Sequence, residues 1–173
     1  MNAATLTRII EVADDYDAIQ RLFEERQWGD GLPVVPPTEA RVAAMLEGCG
    51  RPRDAVVASV APAFADATVE LLAVNAVLAG CKPGALPWLI AATEAVADPV
   101  FNLQAVQATT NPVAVWIVVN GPGAVTAGYN GGLNCLGEGN PANVTLGRAP
   151  TRCMCRASAI RGRSQGLSWP RAG

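Results

Sequence analysis

The sequence predicts an α/β fold, with layered helices on a small mixed or parallel sheet. Three observations carry that prediction. Short β-branched stretches alternate with strongly apolar helical segments, the pattern of helices layered on a sheet. Half of the residues are hydrophobic and only 16% are charged, which is the composition of a chain that buries a core. At 173 residues the chain suits one domain of ordinary size.

In chain order, residues 16–27 place Ile19, Leu22 and Phe23 at helical spacing with charges opposite, an amphipathic helix that stops before Gly29. Pro33, Pro36 and Pro37 then forbid a regular helix, so residues 30–38 form a stiff extended strap. Thr38 is the N-cap expected for a helix over 39–47. Val56 to Val60 reads as a strand. Asp66 is the expected cap of a helix over 67–79 that is apolar on most sides, and therefore buried, and that ends at Gly80. A further helix spans 85–97. Residues 101–109 and 113–119 read as strands, the second (VAVWIVV) buried on both faces.

Eight of the 27 residues from Gly121 to Gly147 are glycine. Following a buried strand, such a segment lies where open α/β sheets place their ligand crevice. Asn143, or Asn140 with Pro141 at the first helical position, is expected to cap a helix beginning at Ala142. No helical or strand pattern continues it beyond Ala149, so the domain reads as incomplete.

Charge divides the chain at the same place. Residues 1–149 carry eight basic against fifteen acidic groups, a net −7, and residues 150–173 carry five arginines and no acid, a net +5. The expected organisation is an α/β domain over 1–149, the N-terminal part of a longer one, with an irregular basic tail over 150–173. Three readings of that tail stay open: a nucleic-acid arm, disfavoured by the lack of lysine and its single aromatic, Trp169; a metal or redox element at Cys153 and Cys155; and a frameshift-derived end.

The absence of histidine excludes the Ser-His-Asp, Cys-His and His-ligated zinc or iron mechanisms for this chain alone. Five cysteines without CxxC pairs, behind an N-terminus lacking signal-peptide character, predict reduced thiols and a cytoplasmic protein, with no metal site and no membrane span.

The candidate catalytic groups are Cys135, whose thiol Arg148 and a following helix are positioned to activate, and Asp30 and Glu138, which act as acid or base if held in apolar surroundings. Cys81 is a second thiol candidate, beside Lys82. Candidate ligand contacts are Thr109, Thr110 and Asn111 at one strand end, Asn120 and Gly121 at the next, and Gly139, Asn143 and Arg148 in the glycine-rich loop and its helix. Each has a plain structural alternative: turns, strand caps and solvated carboxylates.

Five segments together, Asp30-Gly-Leu-Pro-Val-Val-Pro-Pro-Thr38, Val74-Asn-Ala-Val-Leu-Ala-Gly-Cys81, Gln107-Ala-Thr-Thr-Asn-Pro112, Val118-Val-Asn-Gly-Pro122 and Gly137-Glu-Gly-Asn-Pro-Ala-Asn-Val-Thr-Leu-Gly-Arg-Ala149, resemble a bacterial family associated with thioredoxin-like UGSC/CGSC-motif proteins, where U is selenocysteine. The resemblance covers about residues 16–149 and implies part of a thiol- or redox-linked small-molecule enzyme. The CGSC motif is absent here, so that role passes to no cysteine of this chain, and no cofactor is implied. The alternative is a non-enzymatic subunit that binds a partner or a second copy of itself.

Overall fold

In the computed structural model, which describes residues 10–151, the fold is built around one helix that is apolar on every side. This is α3, Val69–Ala79, whose Val69, Leu72, Ala73, Asn75 and Ala76 have no solvent exposure at all. A helix with no polar face must be covered all round. Helices α2 (Glu39–Leu46) and α4 (Leu86–Ala97) pack on it from two sides. Strands β1 (Val56–Val60) and β2 (Ala65–Thr68) pair antiparallel in register Val60↔Ala65 and Ser59↔Asp66, and β1 lies on α4. The first helix, α1 (Tyr16–Glu25), is capped by Asp15 and buries only Ile19.

Downstream come a 3-10 turn (Pro99–Phe101), α5 (Leu103–Ala108) and α6 (Pro122–Thr126). A last helix, α7, occupies residues 141–151 and inserts Leu146 and Ala149 into the same core. The architecture is thus α/β with layered helices and a small sheet, and that sheet is a two-stranded antiparallel hairpin. No helix among the described residues is long and apolar enough to cross a membrane.

Several expected elements take other forms. Residues 101–109 are not a strand: Asp98 accepts from the Val100 N–H and Asn102 from the Ala105 N–H, so two local caps wind the segment into short helical turns. Residues 113–119 are extended but belong to no sheet, and they are not buried on both faces. Val115, Ile117 and Val119 are half-buried against the core, whereas Trp116 and Val118 are exposed. The sequence does not announce β2, because Ala-Asp-Ala-Thr is only four residues long and its alanines and aspartate have low strand propensity; pairing with β1 holds it. The cap of α3 is accordingly Thr68, whose Oγ1 accepts from the Leu71 N–H at 3.2 Å, and Asp66 sits exposed in β2. Helix α7 passes through position 149 without interruption. The tail readings at Cys153, Cys155 and Trp169 lie outside the described residues.

Thr68→Ala should therefore cost about 1 kcal/mol by loss of the cap, whereas Asp66→Ala should change stability by less than about 0.5 kcal/mol. Urea denaturation of the two variants distinguishes the caps.

Candidate functional site

The proline strap crosses the C-terminal end of α3 and is fastened on three sides. Gln20 on α1 imitates a strand partner, accepting from the Val34 N–H at 3.1 Å and donating to its carbonyl at 3.0 Å. The Val35 N–H donates to the Leu78 carbonyl. At the N-terminal end of the strap, Arg148 on α7 reaches Asp30 across 118 residues of sequence, its Nε and Nη2 each 2.7 Å from a carboxylate oxygen. The same Nη2 also donates to the carbonyls of Leu32 and Pro33. Both side chains are less than one-fifth exposed, and the hydrogen bonds to Asp30 hold the guanidinium more firmly protonated than usual. A planar fork with two parallel donors suits this task in a way that a lysine cannot reproduce.

The glycine-rich segment is organised from inside by Asn143. Its Oδ1 accepts from the Asn130 N–H, and its Nδ2 donates to the carbonyls of Asn130 and Cys135. Asn140 is the N-cap of α7, accepting from the Asn143 N–H with Pro141 next in line; of the two expected caps, this is the one formed. A Cβ at Gly137 would overlap the Asn134 side chain, which would have to leave its bond to the Glu138 carbonyl.

Beneath the strap, α3 ends in a Schellman turn: Gly80 has φ +85°, its N–H donates to the Val77 carbonyl, and the Cys81 N–H donates to the Ala76 carbonyl. That turn fixes Cys81 in a buried position with Thr145 and Arg148 of α7 as neighbours. Burial pushes its thiol pKa up, against the smaller opposing effects of the Thr145 hydroxyl and the Arg148 charge. Tyr129 shares this environment, and burial, followed by the Cys81 charge, pushes its phenol up to about 12. The Tyr129 ring stands edge-on to Trp88 at 5.6 Å.

Cys81 also lines a cleft of about 250 Å³ whose other walls are Val35 of the strap, Arg41, Ala44 and Met45 of α2, Val77 and Gly80 of α3, and Pro83. Arg41 is exposed, and its Nη1 donates to the Pro36 carbonyl. It has no carboxylate partner among the described residues.

The sequence-derived candidates are thus distributed unevenly. Asp30 and Arg148 come together, as an ion pair rather than as an acid or base in apolar surroundings. Arg148 is consequently committed to the strap and not to Cys135, which is half-buried with its carbonyl held by Asn143. Glu138 and Gly139 are exposed on the loop, with the Glu138 carbonyl accepting from Asn134. Thr109, Thr110, Asn111, Asn120 and Gly121 do not stand at strand ends, because no sheet lies behind them; Thr109 accepts from the Asn111 N–H in a local turn. Arg41, Thr145 and Tyr129 escaped the sequence reading. Only the Thr145 and Arg148 spacing, three apart on one helix, hinted at a shared face.

The chain matches no protein-family model, no curated protein and no solved structure.

Two expectations follow. Arg148→Ala should destabilise the fold by about 2 kcal/mol, leaving a partly buried carboxylate and two carbonyls without donors, and Arg148→Lys should recover less than half of that; thermal melts compare the two. Cys81 and Tyr129 are held protonated by the fold, so their contribution is complete below the unfolded thiol and phenol values. It is lost as pH rises through the folded values, up to about 12 for Tyr129. Urea midpoints should fall above about pH 9, and Cys81→Ser with Tyr129→Phe should flatten that fall.

Proposed function

We propose that this protein binds a small organic anion in the cleft between the strap, α2 and the end of α3. The supporting observation is the pairing of chemistries within one cleft: an arginine without a carboxylate partner, and apolar walls from Val35, Ala44, Met45, Val77 and Pro83. Such a site takes a ligand with a carboxylate or phosphate at one end and a short hydrocarbon body. At about 30 Å³ per water-sized unit, the volume suits on the order of eight non-hydrogen atoms.

Cys81 is the only cysteine of this wall. Because burial keeps its thiol protonated at neutral pH, it contributes a soft apolar surface there. The UGSC-type enzyme remains the wider setting of this proposal, with the cleft as its binding component.

Hexanoate is the probe of matching size. It should bind with a dissociation constant on the order of 1 mM, raise the melting temperature, and slow alkylation of Cys81 relative to Cys135. Arg41→Gln should weaken hexanoate binding about tenfold without unfolding the protein, since Arg41 is exposed. Equal stabilisation by hexanol, or unchanged binding by Arg41→Gln, would overturn the assignment.

A further inference from the structure

Residues 113–119 have the form of a β-strand without the sheet. Alternate side chains, Val115, Ile117 and Val119, are packed on the core, so the backbone is held extended along the surface. From Ala114 to Asn120 no backbone N–H or carbonyl has a hydrogen-bond partner among the described residues. The outward side chains are apolar, with Trp116 72% and Val118 73% exposed. An extended segment of this kind is a template for strand addition.

The devices that natural edges use to refuse a partner are missing. Between Pro112 and Pro122 there is no proline, lysine or other charge, and the chain is uncharged without interruption from Pro99 to Gly137. Val125, Leu133 and Leu136 in the same uncharged stretch are also exposed.

We infer that this edge pairs with the same edge of a second copy of the chain, forming an antiparallel two-fold dimer centred on Trp116. In that register Trp116 faces its own mate, Val115 faces Ile117 and Val113 faces Val119, so each copy presents matching residue sizes to the other. Isologous pairing requires a surface that does not repel itself, and the uncharged stretch meets that requirement although the whole chain is net negative. The chain's own residues 152–173 are a poor occupant: five arginines break their apolar residues into short runs and offer no alternating strand pattern. An acidic or basic peptide partner would find no complementary charge. Pairing satisfies the backbone groups of alternate residues, those that face the shared edge, in both copies and packs the two Trp116 rings side by side.

Light scattering after size-exclusion of the full chain, across a concentration series, should give twice the 17.9 kDa chain mass. Hydrogen exchange should show alternate amides within 114–120, those facing the shared edge, protected in the dimer. Val118→Lys, an outward substitution that leaves the core untouched, should raise the dimer dissociation constant about a hundredfold and remove that protection while circular dichroism stays unchanged. A monomer at every concentration overturns the inference, as do open-ended aggregates, and as does a dimer indifferent to Val118→Lys. A monomer that dimerises only after removal of residues 1–9 also overturns it, by showing that the chain's own N-terminal segment occupies the edge.

Discussion

Helix α3 carries apolar residues around its whole circumference, and the rest of the molecule is arranged to keep water from it. Burying Leu72, Leu78 and their neighbours contributes about 2 kcal/mol per large side chain, so each side must be covered by an element with an apolar face. Helices α2 and α4, Val60 and Ala67 of the hairpin, and Leu146 with Ala149 from α7 supply such faces. Two residues depart from that composition: Glu70 in the first turn, paired with Arg53, and Asn75, which is wholly buried, its amide donating to the Leu71 carbonyl and its Oδ1 without a partner among the described residues. A buried acceptor left unpaired costs about 1–3 kcal/mol, which the surrounding apolar burial offsets.

Closing that shell requires segments far apart in sequence to meet. The strap and α7 do so through Arg148, whose two bonds to Asp30 and two to the strap carbonyls tie the beginning of the described chain to its end. The pair is largely shielded from solvent, so its removal exposes an uncompensated carboxylate rather than merely deleting an attraction. The same junction sets the chemistry of Cys81. Burial under the strap raises the thiol pKa, and Arg148, already committed to Asp30, lowers it only in part. The cleft beside Cys81 exists because Gly80 and Ala44 leave room where larger side chains would fill the space between α2 and the strap.

The shell also explains why residues 113–119 stay extended without a ladder. Three inward side chains are enough to hold the segment straight, but side-chain packing cannot satisfy backbone donors and acceptors. The segment therefore combines an extended backbone with open hydrogen-bonding capacity, within a stretch of sequence that carries no charge. The unpaired segment and the cleft arise from the same constraint: one is surface that the shell leaves open, the other a gap between two of its parts.

Much of this organisation was legible locally. Amphipathic spacing named α1, and Thr38 and Gly80 named the start of α2 and the end of α3, since each acts on the few residues beside it; Asn140 and Pro141 did the same for α7. The all-round apolarity of 69–79 announced the core. Local pattern failed where partners decide: Ala65–Thr68 is a strand because β1 is there, and VAVWIVV is not part of a sheet because no neighbour pairs with it. At the candidate site, the sequence by itself determined the residue types, an arginine near the end of one helix, an aspartate before a proline strap, a cysteine after a helix-ending glycine. Only the tertiary structure decided that Arg148 belongs to Asp30 rather than to Cys135, and that Arg41 shares a cleft with Cys81. Charge pairing depends on separations of a few ångströms, and those are set by how helices pack, which spacing along a chain does not encode.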